Sequence, residues 1–393
     1  MIKYYHVQNF KNLWDTEANF EQLNVIIGPN SAGKSSLLQS IDFLKAFMVS
    51  SIDYYLATHN IDFKDVINKR LKENVANKKT VSWDITVCLP SGEYRYVVKL
   101  YQAKKIEEKL FLIDDSSHEK EIFWRNDRNY GIKSDDDEWT KGGFLNPQSG
   151  FLNSITEDEH ARYPGLLQFK KFILGIQTFL IWDPDMLRQR SREKQDELGP
   201  NGQHLAVVLA EMKRKEGGQF AKMIKRLQKL LPWLEDISVK TIPFGWKEII
   251  LHERDEWGTI QLNGHQISDG TLRLIAMAYL RYGNRPYTVM SFEEPENGIH
   301  PPVLRAAVQM IQEITQLKPH LRNQVFMTTH SPYLLDILGD YPESIYIMEK
   351  GEKVGARLSG ISKDKIKLAK LLFNNSIGNM WYSGVLQERG GEQ

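Results

Sequence analysis

Apolar and polar positions alternate over short stretches in the first hundred residues, and this period of two predicts strands. Residues 81–88 and 94–100 alternate in this way on either side of a Pro-Ser-Gly turn, which is typical of a β-hairpin. Two further strands are predicted at Ile2–Val7 and Leu23–Ile27. The period then changes, and four apolar residues at helical spacing predict a helix: Leu37, Leu38, Ile41 and Leu44. We expect residues 1–102 to form a strand-rich lobe.

The remaining chain divides into two regions. Residues 103–245 are more charged and less regular, and we expect them to form a largely helical insertion. The clearest helix there, residues 220–231, has one apolar stripe and four cations elsewhere around it: Lys222, Lys225, Arg226 and Lys229. A solvated face is the simpler interpretation of these cations, and a contact with DNA phosphates is the alternative. Residues 246–393 form a second lobe, with buried-strand patterns at Tyr287–Phe292 and Gln324–Thr329.

Composition limits the class of protein. The chain has 393 residues, of which 41% are hydrophobic and 26% charged, as in an ordinary globular protein. Cys88 is the only cysteine, which excludes an intramolecular disulfide and suits a reducing cytoplasm. No apolar run approaches the roughly 18–20 residues that span a bilayer, and the first residues lack the apolar core of a signal peptide. We therefore expect a cytoplasmic protein without membrane contact, and its net charge of +1 does not by itself favour nucleic acid as a partner.

A phosphate-binding pattern follows the second predicted strand. Residues 28–36 match G-x-x-x-x-G-K-[ST], in which Gly28 and Gly33 permit backbone dihedrals that a Cβ would forbid. Lys34 supplies a positive charge to the outer phosphates, Ser35 offers a hydroxyl to Mg²⁺, and the helix that begins here directs its positive end toward the same anion. The other loop residues expected at the nucleotide are Asn30, Ser31, Ala32 and Ser36. A nucleoside triphosphate is therefore the first ligand to expect.

Adjacent carboxylates end the strand predicted at Tyr287–Phe292. Because neighbouring side chains of a strand point to opposite faces, Glu293 and Glu294 cannot have the same role. One can hold Mg²⁺, and the other can orient the attacking water. The next predicted strand ends at His330, a candidate sensor of the γ-phosphate. Solvated glutamates at a strand end are the alternative for the acidic pair, and an isolated histidine is more often structural, but the phosphate loop upstream favours the catalytic interpretation.

A second anion site is predicted at the start of an apolar helix, residues 274–280. Ser268 and Gly270 lie just before it, where the first N–H groups of a helix have no partner within the helix. The nucleotide itself is expected to be ATP. A GTPase would carry an Asn-Lys-x-Asp run, whereas residues 68–71 read Asn-Lys-Arg-Leu.

The order of these motifs resembles the ABC-type ATPases of the RecF and structural-maintenance-of-chromosomes kind. The likeness is greatest to the stand-alone bacterial ATPases related to the overcoming-lysogenization-defect proteins. It includes the opening Asn9–Leu13, in which Lys11 is a candidate nucleotide-binding residue, and the closing Gly378–Gly384. This resemblance implies an α/β P-loop NTPase fold, an ABC-type ATPase head with a mixed central sheet, a flanking antiparallel sheet and a helical insertion.

The resemblance also implies a role for each residue of the site. Lys34 would contact the β- and γ-phosphates of ATP. Ser35 and Glu293 would serve Mg²⁺, Glu294 would be the catalytic base, and His330 would contact the γ-phosphate. ATP and Mg²⁺ are thus the implied cofactors.

The same likeness implies a head-to-tail homodimer with two ATP molecules between the subunits, in which Ser268 and Gly270 contact the ATP of the other copy. Two positions depart from the pattern. The acid of the metal strand is usually aspartate and is Glu293 here, and Asp269 replaces one of the signature glycines. A negative charge at Asp269 predicts weaker closure and slow hydrolysis. Gln189 is the candidate for the glutamine that normally follows the first lobe.

Three functions stay open at this point. The first is an ATP-driven switch that controls a separately encoded effector, a nuclease, in bacterial anti-phage defence. It rests on the resemblance and on the short stretch after His330, too short for a fused Toprim nuclease domain. An acidic cluster, Asp135–Glu138, partly matches a Toprim metal site, but residues 131–134 before it lack a convincing strand pattern, so no intrinsic nuclease is expected. The second is a DNA-repair or DNA-clamping ATPase, and the third is a nucleotide-binding scaffold with little turnover.

Overall fold

The computed structural model places most of the chain in three β-sheets and the helices around them. The residues that it describes are 1–69, 80–101, 105–134, 137–143, 148–154, 163–179, 183–192, 197–283, 287–316, 323–339, 341–351, 355–361, 363–373 and 376–386.

The central sheet is built from six strands that come from all parts of the chain. They are β3 (Leu23–Ile27), β10 (Ile176–Phe179), β14 (Val289–Glu293), β15 (Gln324–Thr329), β16 (Ile345–Lys350) and β17 (Ala356–Gly360). Their spatial order is β10-β14-β15-β3-β16-β17, and every neighbouring pair is parallel except β16 and β17. Helices and the larger antiparallel sheet described next cover both faces of this sheet, which is why β3 and β15 are continuous buried runs.

A larger antiparallel sheet lies beside it. Its strands are β1 (Ile2–Phe10), β2 (Leu13–Asn19), β4 (Thr80–Leu89), β5 (Gly92–Tyr101), β6 (Ile106–Ile113), β7 (Glu119–Asn126), β8 (Asn129–Lys133) and β9 (Trp139–Gly143). Their order is β2-β1-β4-β5-β6-β7-β8-β9. The hairpin predicted around the Pro-Ser-Gly turn is confirmed as β4 and β5. Its inward side chains, such as Trp83, stack on Phe43 of the first helix.

The prediction of a largely helical region from residue 103 is wrong for its first part, because the described residues between 106 and 143 include the four strands β6–β9. Two of their inward positions carry charged side chains, Glu108 of β6 and Arg125 of β7, which are buried and pair with each other at 3.4 Å, and this interrupts the period of two. Of residues 131–134, which lack a clear strand pattern, the first three belong to β8. Asp137 follows β8 in a turn and pairs with Lys120 and Lys133, while residues 135 and 136 of the acidic cluster lie outside the described residues.

Twelve α-helices occur within the described residues. They are α1 (Lys34–Val49), α2 (Ile52–His59), α3 (Phe63–Val66), α4 (Pro164–Leu174), α5 (Pro184–Leu187), α6 (Leu205–Lys215), α7 (Gly217–Leu230), α8 (Asp269–Tyr282), α9 (Pro301–Thr315), α10 (Pro332–Ile337), α11 (Lys363–Leu372) and α12 (Ile377–Tyr382). The helices predicted at residues 37–44, 220–231 and 274–280 are confirmed as α1, α7 and α8. None of the helices in the described ranges combines the length and the apolar character that crossing a bilayer demands.

The third sheet has three antiparallel strands, β11 (Leu234–Thr241), β12 (Lys247–Asp255) and β13 (Gly258–Asn263). It packs against α6 and α7 through buried residues such as Ile237 and Leu251. The helices beside it are tied together by Glu313 of α9, which accepts hydrogen bonds at 3.0 Å from Arg226 of α7 and from Arg281 of α8. Arg226, one of the four cations considered for DNA contact, is therefore engaged inside the protein.

A buried glutamine side chain connects the two larger sheets. Gln324, at the start of β15, accepts a hydrogen bond from the Ile2 N–H at 2.8 Å and donates one to the Ile2 carbonyl at 2.7 Å. It also donates to the carbonyl of Glu21 at 2.9 Å. The amide thus pairs with β1 much as a strand backbone would, and every polar atom of this fully buried side chain has a partner.

Replacing Gly28 with alanine should destabilise the fold. The loop after β3 runs so close to β16 that a Cβ on Gly28 would overlap the carbonyl oxygen of Met348. We expect Gly28→Ala to lower the free energy of unfolding by about 1–3 kcal/mol, measured by urea unfolding. Gly218→Ala is the matched control, since nothing lies within 4 Å of its added methyl in α7, and it should raise stability by about 0.4–1 kcal/mol. Equal stability of the two variants would contradict the close approach.

Candidate active site

The parallel pairing of three strands brings the sequence motifs to one edge of the central sheet. β15 pairs with β3 so that Thr329 lies opposite Ile27, and β14 pairs with β15 so that Glu293 lies opposite Thr328. The residues that follow these strands therefore emerge side by side, because parallel strands end at a common edge. This edge is where open α/β sheets form their binding crevices, and it carries the phosphate loop, the paired glutamates and His330.

The two glycines of the phosphate loop are required for different structural reasons. Gly33 is the N-cap of α1 with φ at +124°, a conformation that side chains rarely adopt. Gly28, by contrast, does not have a positive φ, so the expectation that it is needed for its dihedrals is wrong. It is required by the close approach of Met348 instead. Ser31, which also has a left-handed φ of +62°, reverses the chain between them.

Lys34 holds its charge inside this loop. Its ammonium donates to the carbonyl of Gly28 at 2.9 Å and to that of Pro29 at 3.2 Å, and it lies 2.7 Å from Nε2 of His330. Only 5% of the residue is exposed. Burial lowers the pKa of Lys34, and the nearby carboxylates, Glu294 first among them, oppose that shift. The ammonium is thus fixed between the loop and the end of β15.

Ser35 and Glu293 are in direct contact, the hydroxyl donating to Oε1 of the carboxylate. A hydroxyl and a carboxylate are hard oxygen donors of the kind that Mg²⁺ prefers. The two side chains come from the first turn of α1 and the last residue of β14, so one cation could bind both. This donor set fits Mg²⁺, and the longer side chain of glutamate reaches the serine without difficulty.

Glu294 leaves the strand and turns in a different direction. Its φ of +43° lies in the left-handed region, which is uncommon for a residue with a side chain and is found repeatedly at functional sites. The backbone is held by a hydrogen bond from its N–H to the Thr328 carbonyl at 3.1 Å. Oε2 accepts from Asn297 at 2.9 Å, and Oε1 lies 3.2 Å from Nε2 of His330. The glutamates do have separate surroundings, but the cause is this turn and not the alternation of a strand.

His330 lies between the ammonium of Lys34 and the carboxylate of Glu294. Burial lowers the pKa of His330, and the positive charge of Lys34 lowers it further, while Glu294 acts in the opposite direction. Because Lys34 Nζ can only donate, Nε2 of the imidazole is the acceptor of their 2.7 Å contact. The neutral ring is therefore the favoured form, with its proton on Nδ1.

Glu296 is a part of the site that motif spacing did not single out. Its Oε1 accepts from the Thr329 hydroxyl at 2.6 Å and from the backbone N–H of His330 at 3.1 Å, so it fixes the end of β15. Its Oε2 is buried without a hydrogen-bond partner. The only feature of the sequence that could have indicated Glu296 is its position as a third carboxylate, two residues after Glu294. Asn12 also supports the loop by donating to the Ser31 carbonyl at 3.2 Å, and no local pattern predicts that contact.

The other residues predicted for the nucleotide site differ in their exposure and contacts. Lys11 donates to Gln39 at 2.7 Å, one helical turn beyond Ser35. Ala32 is buried, Ser36 is half-buried, and Asn30 is exposed at the loop surface. Their contact with a nucleotide stays a prediction.

The second anion site lies at the N-terminus of α8. Ser268 is the exposed N-cap, and its hydroxyl accepts from the Thr271 N–H at 3.2 Å. Asp269 does not stand alone, because Arg188 contacts its Oδ1 at 2.5 Å and offsets its charge. Gly270 follows in the first turn, with open space around its Cα. No hydrogen bond connects Ser268 or Gly270 with residues 28–36 in the described chain. Gln189 is exposed beside Arg188, and its role as the glutamine after the first lobe stays a prediction.

The state of His330 predicts how stability depends on pH. Because the pKa in the folded protein lies below the ordinary 6.5, the unfolded chain binds a proton first as the pH falls. The free energy of unfolding should therefore be unaffected by this group above about pH 6.5 and decrease below it, by at most about 1.4 kcal/mol per pH unit. Urea unfolding at several pH values would measure this. His330→Gln should flatten that part of the profile, and an identical slope in the variant would contradict the assignment.

Comparisons with known proteins agree with this geometry. The chain is similar in structure to "SmcHead bound to the C-winged helix domain of ScpA", with a TM-score of 0.60 and 14% identity over 93% of this chain and 99% of that one. It is also similar to an "Smc head domain with an extended coiled coil bound to the C-terminal domain of ScpA derived from Pyrococcus furiosus", with a TM-score of 0.56 and 11% identity over 94% and 98% of the two chains. No curated protein matches the sequence.

At these identities the likeness shows the fold, which is that of a P-loop NTPase of the SMC-head kind, as predicted. Residues 23–336 match the AAA_21 family, described as "AAA domain, putative AbiEii toxin, Type IV TA system". The match includes the phosphate loop, both glutamates and His330, and it spans well over half of the sequence. The chain therefore belongs to this family of AAA-type ATPases.

Proposed function

We propose that this protein binds ATP with Mg²⁺, hydrolyses it slowly, and uses the cycle to switch between an open and a closed state. The observation that carries the proposal is the convergence of Lys34 and Glu294 on His330, whose Nε2 lies 2.7 Å from Lys34 Nζ and 3.2 Å from Glu294 Oε1, beside the Ser35–Glu293 pair. An ammonium, two separated carboxylates and a neutral imidazole at a helix N-terminus are the groups that phosphoryl transfer to water requires.

Each group has a separate task in this proposal. Lys34 and the N-terminus of α1 bind the β- and γ-phosphates, and Mg²⁺, held by Ser35 and Glu293, would neutralise charge on the phosphate oxygens. Glu294 accepts a proton from the attacking water, since its turned backbone directs it away from the metal pair. His330 reports the γ-phosphate, because a ligand that draws Lys34 forward changes the contact between Lys34 and the imidazole.

A second copy of the chain completes the site in this proposal. Ser268 and Gly270 lie at an exposed helix N-terminus that makes no hydrogen bond with the phosphate loop of its own chain within the described residues. A 14-residue helix such as α8 offers partial positive charge to an anion at that end. Two chains arranged head to tail would place this end of each against the γ-phosphate of the other. Arg188 reduces the repulsion that Asp269 would otherwise exert there.

The biological role rests on the family and on the resemblance described above. We propose that the closing dimer controls a separately encoded effector, a nuclease, in bacterial anti-phage defence, as its resemblance to the overcoming-lysogenization-defect group implies. The alternative of a DNA-clamping ATPase is supported by the SMC-head fold. A scaffold with little turnover is the third hypothesis, and variants that cannot hydrolyse ATP distinguish it from an ATP-driven switch.

Replacing Glu294 with glutamine should separate ATP binding from hydrolysis. The amide cannot accept a proton from water, so we expect turnover to fall by about 10²–10⁴-fold while ATP still binds. Phosphate release would measure turnover, and binding of a fluorescent ATP analogue would measure affinity. On gel filtration, the Glu294→Gln protein should elute as a dimer with ATP and as a monomer without it.

Lys34→Ala is the control for that experiment, because it should lose ATP binding and dimerisation together. A Glu294→Gln protein that stays monomeric with ATP would contradict the head-to-tail arrangement. Unchanged turnover would contradict the role of Glu294 as base. If the variant has lost turnover and still protects cells fully against phage, the scaffold hypothesis replaces the switch.

The effector can be sought with the same variant. Co-expression of the tagged Glu294→Gln protein with the products of its neighbouring genes should retain the effector in an ATP-dependent manner. Lys34→Ala is again the matched control, and retention that is equal in both variants would contradict control by the ATP cycle.

A further inference from the structure

The turn between β11 and β12 presents two exposed aromatic rings. Phe244 is 89% exposed and Trp246 is 37% exposed. Phe244 and Gly245 both adopt left-handed φ values, +64° and +78°, and the turn is closed by a hydrogen bond from the Ile242 N–H to the Trp246 carbonyl at 2.8 Å. An aromatic ring exposed to this degree gains nothing from the core, so its side chain is available to a ligand.

The surroundings of these rings are positively charged. The guanidinium of Arg192 lies 5.4 Å from the centroid of the Trp246 ring, a cation–π contact. Lys240 lies directly opposite Glu248 in the β11–β12 pairing, and Glu248 is bound by Arg190 at 2.8 Å. Among the described residues named here, Arg190, Arg192 and Lys240 carry positive charge and Glu248 carries negative charge, so cations outnumber the carboxylate beside the rings.

We propose that this end of the small sheet binds single-stranded nucleic acid. In this hairpin site, which comprises Phe244, Trp246, Arg192 and Lys240, the Phe244 ring stacks on an unpaired base, and the cations contact the adjacent phosphates. Aromatic rings among cations are the standard composition of single-strand binding surfaces, because every base has a face to stack on and every nucleotide carries a charge. Both DNA and RNA offer this chemistry.

The charge pattern favours a polyanion over a protein. If two copies of the chain met through this surface, like charges would face each other, which is unfavourable. A duplex is also a poor occupant, since its bases are already stacked and Phe244 could not reach their faces. The alternative cations on α7 are a weaker choice, because Arg226 is bound to Glu313 at 3.0 Å.

A short connector joins this site to the N-terminus of α8. Arg188 contacts Asp269 at 2.5 Å and the Gly264 carbonyl at 3.3 Å. Three residues later, Ser191 and Lys247 exchange backbone hydrogen bonds at 2.9 and 3.3 Å, next to the hairpin site. A bound nucleic-acid strand that displaces residues 190–192 would therefore move Arg188 and change its contact with the N-terminus of α8. This coupling rests on the proposed function, whereas the binding itself does not.

Fluorescence anisotropy with labelled oligothymidylate and oligouridylate tests the binding. Phe244→Ala should weaken the affinity for both by at least about five-fold, since stacking on an aromatic ring contributes on the order of 1 kcal/mol or more per base. Removing Arg192 and Lys240 together should reduce the slope of log affinity against log salt by about 1.4. Melting curves followed by circular dichroism would show that the variants are folded.

Trp257→Ala is the matched control. This ring is 92% exposed at the opposite end of the same sheet, beside Asp255, and its removal should leave the affinity unchanged. The proposal is overturned if the wild-type protein binds neither oligonucleotide at low salt, or if Trp257→Ala and Phe244→Ala weaken binding equally. It is also overturned if Phe244→Ala alters the oligomeric state and not the affinity, because that would show a protein-binding surface.

ATP turnover with and without oligonucleotide tests the coupling. We expect the oligonucleotide to change the ATP turnover of the wild-type protein by about two-fold or more. The turnover of Arg188→Ala should be the same with and without oligonucleotide. If no turnover occurs in any sample while oligonucleotide binding persists, the proposed function fails and the hairpin site stands. Equal effects on both proteins would overturn the role of the connector.

Discussion

The parallel pairing of β3 with β15 is the constraint on which the site depends. These strands are separated by about three hundred residues of sequence, yet their register places Ile27 opposite Thr329. If that register moved by one residue, Lys34 and His330 would no longer meet, because every side chain would exchange faces. Both strands are buried throughout, so the free energy of burying their apolar side chains enforces the geometry of the polar groups beyond their ends. The chemistry is thus positioned by the core.

At that edge the charges are arranged as a set. The ammonium of Lys34 faces the carboxylates of Glu293, Glu294 and Glu296, with the imidazole of His330 between. Burial penalises each of these charges singly, and mutual attraction offsets part of the penalty. A ligand that brings negative phosphates and a metal cation together would meet complementary groups in fixed places. Preorganisation of this kind is the main source of electrostatic catalysis.

Much of this could be predicted from the sequence, and the failures have physical reasons. Local signals sufficed for α1 and for the strands on either side of the phosphate loop, because hydrophobic period and turn residues act over a few positions. They failed for β6–β9, where inward charges such as the buried Glu108 interrupt the alternation. They also failed to place β10, a four-residue strand that is recognisable as part of the central sheet only from its pairing with β14.

Contacts within the site also divide into those with a local sequence signal and those without one. The positions of Lys34 and Ser35 come from a contiguous motif, whereas Glu296 acquires its role by meeting the end of β15, more than thirty residues away. The neutralisation of Asp269 by Arg188 spans 81 residues and leaves no local trace. Such pairs depend on which strands become neighbours, and a single sequence does not state that. The boundaries between the three predicted regions also stay predictions, although β10 shows that the middle region contributes to the central sheet.

The amide of Gln324 has a consequence for how the molecule comes apart. It joins β1 of the antiparallel sheet to β15 of the central sheet by hydrogen bonds to both polar groups of Ile2. Neither sheet can separate without leaving buried donors and acceptors unpaired, which is costly in a dry interior. The two layers are therefore expected to lose amide-hydrogen protection together, as one cooperative unit. A disturbance at β1 would therefore affect β15, although Ile2 and Gln324 are 322 residues apart in the sequence.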